Sequence, residues 1–177
     1  MEKKCIAGII VVLVVVIAAF GAYLLLTDDS KAKDESYYFY IQMEEGYDNE
    51  GLPHESSVMQ EGFWVKANGD NALDALQNIC EKNDWKISIS GMGGESTGLY
   101  MSSLFGVEGT SIEGVYLYWA SYVWDDDMKS FTYSNLTLDQ IVSSGHPEYV
   151  SLVYKSYIAG TDKPPVATPD DIPKDVL

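Results

Sequence analysis

Residues 114–124, GVYLYWASYVW, decide the fold of this chain. Aromatic and β-branched residues favour strands, and successive side chains of a strand point to opposite faces of the sheet. One face would carry Val115, Leu117, Trp119 and Val123, and the other would carry Tyr116, Tyr118, Tyr122 and Trp124. Because both sets are bulky, we predict a central strand that is covered on both sides.

The segments on either side complete an α+β domain. Strand formers, or alternation of apolar with polar residues, predict short strands at 37–43, 63–67, 85–90, 99–105, 131–133 and 149–157. Residues 71–83 have the spacing of an amphipathic helix, with Asp70 as its N-cap and Cys80 on its apolar stripe. Thr137 and Gln140 have the spacing of a capping box, which predicts a short helix or turn at 137–144.

The N-terminus carries an uninterrupted apolar run at residues 6–26, preceded by Lys3 and Lys4. As a helix, its 21 residues would span about 30 Å, the thickness of the hydrocarbon core of a bilayer. The two lysines favour a cytoplasmic N-terminus, so we expect the rest of the chain to be extracellular. A cleaved secretory signal is the alternative, although the apolar core of such a signal usually stops after about 7 to 15 residues.

These patterns divide the chain into four predicted segments. They are a transmembrane anchor at 1–26, a polar stalk at 27–36, a folded domain at 37–158 and a tail at 159–177. The tail holds four of the six prolines and has no apolar periodicity, which predicts an extended, disordered segment. Cys5 and Cys80 would lie on opposite sides of the membrane, so the folded domain is expected to hold together by packing alone.

The charge balance argues against one class of partner. From Thr27 onward the chain has nine lysines, no arginine and 26 acidic residues, a formal charge of −17. Nucleic-acid binding depends on clustered Lys and Arg, so we expect no nucleic-acid partner. An acidic surface keeps a domain soluble and attracts cations. Adaptation to high salt would give the same composition, and the sequence leaves both explanations open.

Three short motifs carry a family resemblance. They are Ala72-Leu73-Asp74-Ala75-Leu76 on the predicted helix, Gly98-Leu99-Tyr100-Met101-Ser102-Ser103 followed by Gly106, and Tyr118-Trp119-Ala120-Ser121-Tyr122-Val123 in the central strand. Over residues 37–157 the chain resembles the transcobalamin-like C-terminal domain, a module of largely unknown role in bacterial and archaeal surface proteins. The resemblance implies one small mixed sheet with a packed helix and β-grasp-like character.

The sequence departs from this family in two ways. Members often carry a Gly-Asp turn before the last strand, where this chain has Gly145-His146-Pro147-Glu148. In the vitamin-B12 carriers the module works with a helical barrel that holds much of the corrinoid, and this sequence has no counterpart of that barrel. The resemblance therefore supports corrinoid binding poorly.

The aromatic face of the central strand is the predicted recognition surface: Tyr116, Tyr118, Tyr122 and Trp124. Tyr and Trp offer a large contact area at a low cost in side-chain entropy, and their polar tips can hydrogen-bond. The alternative is that the helix at 71–83 covers this face, in which case the four side chains belong to the core.

Other candidate sites rest on weaker patterns. Asp125, Asp126 and Asp127 are possible calcium ligands in a loop, although the spacing of an EF-hand is absent. Asn135-Leu136-Thr137 is an N-glycosylation sequon. His54 and His146 lie in predicted loops without a zinc or triad motif around them, so we interpret both as solvated loop residues.

Together these patterns predict a membrane-anchored extracellular module that binds or adheres without catalysis. Its partner would be an extracellular protein, a glycan or a small molecule, and no resident cofactor is expected. Capture of a small ligand, with a corrinoid as the specific case, is the alternative function. A cell-wall hydrolase is a third hypothesis, since paired carboxylates are abundant and such enzymes need two of them in a cleft.

Overall fold

The computed structural model describes residues 35–44, 52–91, 98–144, 148–157 and 163–176. These residues belong to one compact unit, Glu35–Leu177. The predicted anchor at 6–26 and most of the stalk lie outside the described residues. Within the described ranges, no helix is both long enough and apolar enough to cross a bilayer.

Strands dominate the described part of the chain, which also contains two α-helices and two short 3₁₀ turns. The strands are β1 (Ser36–Met43), β2 (Phe63–Asn68), β3 (Ile87–Gly91), β4 (Leu99–Leu104), β5 (Val107–Glu108), β6 (Thr110–Ile112), β7 (Val115–Asp125), β8 (Ser130–Tyr133) and β9 (Glu148–Ser156). The helices are α1 (Ser56–Glu61) and α2 (Ala72–Lys82), and the 3₁₀ turns are Leu138–Gln140 and Pro169–Asp171. The predicted α+β class is confirmed.

The larger sheet is mixed, with strand order β2-β1-β9-β7 and with β6 and β8 both paired to the outer side of β7. The first and last strands, β1 and β9, are parallel neighbours that place Phe39 beside Val150. The other pairs in this sheet are antiparallel. Since β7 has partners on both edges, the prediction of a central strand at 114–124 is confirmed. A smaller sheet contains β3, β4 and β5.

Helix α2 begins one residue later than predicted. Asn71, not Asp70, is the N-cap, because Asn71 has the extended backbone of a cap and its side chain accepts a hydrogen bond from the Asp74 N–H at 2.9 Å. The Asp74 carboxylate in turn accepts from the Asp70 N–H at 3.0 Å. The predicted apolar stripe is confirmed, and its buried residues are Ala72, Leu73, Ala75, Leu76, Ile79 and Cys80.

Helix α2 packs on one face of the larger sheet, which we call the helix-covered face. The strands contribute alternate residues to this core, as the period of two requires. From the sheet these are Tyr37, Phe39, Ile41, Met43, Leu117, Val150, Leu152 and Tyr154. The smaller sheet closes the same core with Met101 and Leu104.

The opposite face, which we call the tail-covered face, has a core of its own. Its buried residues are Tyr38, Tyr40, Trp64, Ala120, Tyr122, Phe131, Val153 and Ile172. Ile172 comes from the C-terminal tail and is only 7% exposed. The prediction of a disordered tail is therefore wrong for residues 163–176. A chain without apolar periodicity can still dock where single side chains find an aromatic face to cover.

Candidate functional site

The four aromatic residues predicted for recognition lie on the tail-covered face. Helix α2 packs on the other face, so the alternative in which this helix covers them is wrong. Their exposure differs sharply: Tyr116 is 53% exposed, whereas Tyr122 is 1% exposed and belongs to the core. Tyr118 and Trp124 are partly buried. The set therefore combines one buried ring, that of Tyr122, with three rings that are more accessible to solvent.

An aromatic cleft of about 560 Å³ opens beside this set, and we call it the tyrosine cleft. Its lining residues are Tyr118, Tyr122, Phe131, Thr132, Tyr133, Tyr157 and Pro164. Two of the four predicted residues, Tyr118 and Tyr122, thus line the cleft. Its volume falls in the range of about 300 to 1,000 Å³ that small-molecule pockets occupy.

Edge-to-face contacts hold the rings of the tyrosine cleft in place. The rings of Tyr122 and Tyr133 have centroids 5.8 Å apart at 88°, and those of Tyr118 and Tyr157 are 6.0 Å apart at 68°. Tyr116 stacks on Tyr118 at 5.9 Å, with only 12° between the ring planes. Such pairs contribute about 0.5 to 1.5 kcal/mol each beyond the area that they bury. The cleft is therefore preorganised for contact with a ligand.

A buried lysine joins the cleft to the tail. Lys155 is 6% exposed, and its Nζ donates to the Lys163 carbonyl at 2.8 Å and to the Tyr122 hydroxyl at 3.4 Å. The same ammonium lies 5.7 Å from the centroid of the Tyr122 ring. A buried ammonium needs such acceptors, since an unpaired charge is costly away from water. Lys155 thus fixes the start of the docked tail against the sheet.

Sequence reasoning missed several residues at this cleft, although the alternation of side chains along the strands could have placed them on the same face as Tyr118 and Tyr122. Tyr133 lies opposite Tyr122 across β7 and β8, and Lys155 lies opposite Tyr118 across β7 and β9. Tyr157 donates its N–H to the Tyr116 carbonyl at 2.7 Å, which continues the same register. Once the pairing of β7 is known, these three positions follow from alternation alone.

A second cleft, of about 340 Å³, lies at the outer edge of β7 between its pairings with β6 and β8. It shares Tyr118 and Tyr133 with the tyrosine cleft, and Asn135 of the sequon also lines it. Asn135 is exposed, which is where a sequon must lie to accept a glycan. Glycosylation at this position stays a prediction.

Asp139 fastens the rim of this second cleft to the start of β4. Its carboxylate accepts the Leu99 N–H at 3.0 Å and the Thr137 hydroxyl at 2.5 Å. A Cβ atom on Gly98 would lie 2.6 Å from the Thr137 Oγ1, so the two segments meet this closely only because residue 98 is glycine. Partial burial raises the pKa of Asp139, but the hydrogen bonds outweigh this effect, and the net pKa is lowered.

The three consecutive aspartates form a turn rather than a converging ligand set. The Asp125 carboxylate accepts the backbone N–H groups of Asp127 and Met128, each at 2.9 Å. The Asp126 carboxylate accepts the indole N–H of Trp124 and pairs with Lys129 at 3.3 Å. Among the described residues, no three His, Cys, Asp or Glu side chains are grouped so that they could hold a metal ion. The turn geometry thus lends the calcium hypothesis no support.

The remaining titratable candidates are the two histidines and Cys80, and the structure gives none of those it describes a catalytic setting. His54 is exposed and packs edge to face on Phe63, with centroids 4.4 Å apart. His146 lies outside the described residues. Cys80 is buried in the helix-covered core, and burial raises the pKa of its thiol to about 12. A thiol in this environment is not a nucleophile at neutral pH.

No protein-family model matches the chain, and no curated protein matches it either. The resemblance to the transcobalamin-like C-terminal domain therefore stays a prediction from the quoted motifs.

Proposed function

We propose that this chain is a membrane-anchored surface module whose tyrosine cleft binds an extracellular partner without catalysis. One observation carries the proposal: the tail covers much of one sheet face, yet beside it a cleft lined by five aromatic rings stays open. Large apolar side chains that remain exposed in a group mark interaction sites. Tyr116, Tyr133 and Tyr157 are each more than half exposed around this cleft.

The cellular placement belongs to the same proposal. It is supported by the length of the apolar run at 6–26 and by Lys3 and Lys4 before it. With the N-terminus in the cytoplasm, the unit Glu35–Leu177 would face the outside of the cell. Its strongly acidic composition agrees with an extracellular role. For the same reason, the proposal includes no nucleic-acid partner.

We also propose the finer fold assignment, a β-grasp-like domain related to the transcobalamin-like C-terminal family. The parallel pairing of the first and last strands and the helix packed across the sheet support it. The three quoted motifs lie on α2, on β4 with the turn after it, and on β7, and these positions support the assignment.

Capture of a small ligand is a second candidate, because the tyrosine cleft has a suitable volume and an aromatic lining. A corrinoid would be the specific case, and calorimetric titration with a cobalamin would test it. The hydrolase hypothesis gains nothing from either cleft. Neither the tyrosine cleft nor the second cleft has an Asp or Glu among its described lining residues, whereas glycoside hydrolysis needs two carboxylates.

Binding to intact cells tests the proposed function. The full-length chain, labelled and held in lipid nanodiscs, should bind saturably to cells of the species that makes it. Tyr133→Ala and Tyr157→Ala should each weaken this binding by roughly tenfold, since exposed aromatic anchors carry much of the energy of such interfaces. Tyr100→Ala is the matched control, because Tyr100 is 43% exposed and lies outside the tyrosine cleft. Equal binding by all four proteins would refute the proposal.

A further inference from the structure

We propose that the tyrosine cleft recognises a proline-rich, lysine-containing extended segment of the partner protein. This inference rests on the proposed function and names the chemistry of its ligand. It starts from a stretch of the chain's own tail, Lys-Pro-Pro-Val-Ala-Thr-Pro at 163–169, whose Pro164 lines the cleft.

The docked tail shows how the cleft meets proline. Pro164 lines the tyrosine cleft, and Pro165 beside it is buried. The carbonyl of Lys163, which forms the amide bond to Pro164, accepts the hydrogen bond from the buried Lys155 ammonium. One end of the cleft is therefore built around a lysine-proline-proline sequence, with a nine-tenths-buried donor aimed at the backbone.

The side chains that line the cleft are also suited to a further proline-rich peptide. Proline has no backbone N–H, so a proline-rich segment presents carbonyl acceptors and apolar rings. The cleft offers complementary groups: aromatic faces for the rings, and the hydroxyls of the exposed Tyr133 and Tyr157 as donors for the carbonyls. Aromatic-lined grooves bind extended proline-rich peptides in this way, because the peptide loses little conformational entropy on binding.

The free space in the cleft and the charge of the chain both favour a further peptide from a partner, in addition to the docked tail. The volume of about 560 Å³ is what remains with the tail already docked, so a further peptide has room beside Pro164. The chain has a net charge of −16, which favours a ligand with a basic residue through long-range attraction.

A peptide pair tests the inference directly. The probe is a fluorescent peptide with the sequence Lys-Pro-Pro-Val-Ala-Thr-Pro, and its control has the three prolines replaced by alanine at the same length and charge. Fluorescence anisotropy would be measured with the full-length chain in lipid nanodiscs. We expect saturable binding of the probe and about tenfold weaker binding of the control peptide. Tyr133→Ala and Tyr157→Ala should weaken probe binding by about tenfold, whereas Tyr100→Ala should not change it.

Pro164 lines one end of the cleft, so the titration is repeated with Pro164→Ala, which removes the proline ring from that end. Lack of probe binding to both the parent chain and this variant overturns the inference. Equal affinity for the two peptides would also overturn it. The same holds if the probe does not bind but a neutral oligosaccharide does, and if Tyr133→Ala and Tyr157→Ala weaken the binding of that oligosaccharide. A dimer formed by exchange of tails would also overturn it, and would appear as concentration-dependent mass in light scattering.

The two proposals fail in different ways. If Tyr133→Ala abolishes binding to intact cells while neither peptide binds the chain, the partner-binding role stands and the proline-rich assignment is wrong. If neither cells nor peptides distinguish Tyr133→Ala from Tyr100→Ala, both proposals are wrong.

Discussion

Two buried tyrosines of this domain, Tyr37 and Tyr154, have hydroxyl groups that hydrogen-bond to the backbone. The Tyr154 hydroxyl donates to the Glu108 carbonyl at 2.9 Å, and the Tyr37 hydroxyl accepts the Ser143 N–H at 2.9 Å. Burial raises the pKa of both residues. A group whose pKa is raised on folding contributes stability that is complete below its unfolded pKa and is lost as the pH rises through the folded value. Both tyrosines therefore weaken the fold only in alkaline solution.

Cys80 should resist thiol reagents until the domain unfolds. Burial raises the pKa of the thiol to about 12, so almost none of it is ionised at pH 8, and the side chain is also fully buried. The measurement is labelling by iodoacetamide, followed by mass spectrometry, in a Cys5→Ser background with and without denaturant. Rapid labelling of the native protein would contradict the burial of Cys80 in the core.

Asp139 should stabilise the domain at neutral pH and lose this effect in acid. Its pKa is lowered on folding, so its contribution is present above the ordinary carboxyl pKa and disappears as the pH falls through the folded value. Asp139→Ala should cost about 1 to 2 kcal/mol near pH 7, because two hydrogen bonds to one carboxylate are lost. Urea unfolding at several pH values measures the difference, which should shrink as the pH falls below the ordinary carboxyl pKa.

The control for this experiment is Asp127→Ala. Asp127 is exposed, and its own carboxylate is not an acceptor in any hydrogen bond described for this turn. We expect a change within about 0.5 kcal/mol. A difference between Asp139→Ala and the parent that stays constant down to strong acid would argue against the carboxylate as its source.

At the scale of elements, the docked tail acts as a cover for an otherwise open sheet face. Ile172 fills the core of that face, and Ala167 and Val176 pack against it. The 3₁₀ turn Pro169–Asp171 orients this segment, since its capping box joins Thr168 and Asp171 with hydrogen bonds of 2.8 and 2.9 Å. The tail is thus a structural element rather than an appendage.

Ile172→Ala should destabilise the domain by about 2 kcal/mol and lower its Tm by roughly 4 to 8 °C, because it leaves a cavity under the tail. Val166→Ala is the matched control: Val166 is 94% exposed in the same segment, so its Tm should change little. Differential scanning calorimetry measures both. If Ile172→Ala melts with the parent protein, the tail does not contribute to stability, and the prediction of a disordered tail is restored.

At the scale of the whole molecule, charge repulsion opposes folding. The chain carries 27 acidic against 11 basic residues, and the folded domain concentrates this charge in a small volume. Raising NaCl from about 0.01 M to about 0.5 M shortens the Debye length from roughly 30 Å to well under 10 Å. We expect the Tm to rise by several degrees over this range, with KCl giving the same curve. A flat response would show that the charges are too far apart to matter.

Membrane topology is the second prediction at this scale. With an epitope at each terminus, protease added to intact cells should remove the C-terminal epitope and spare the N-terminal one, because the latter would be cytoplasmic. Both should be lost in broken cells. A C-terminal epitope that survives in intact cells would contradict the extracellular placement, and with it the proposed function.

Local pattern alone determined the strands, the helix and the α+β class of this protein, because side-chain period and capping chemistry act within a few residues. The capping box at Thr137 and Gln140 and the apolar stripe of α2 are examples, and both are confirmed. Only the tertiary structure decided which element covers which face of the sheet. The tail lacks periodicity, yet it docks through Pro165 and Ile172, and the cleft depends on Tyr133, Lys155 and Tyr157 meeting across strand pairs. Such contacts between distant residues depend on strand register, which no single segment encodes.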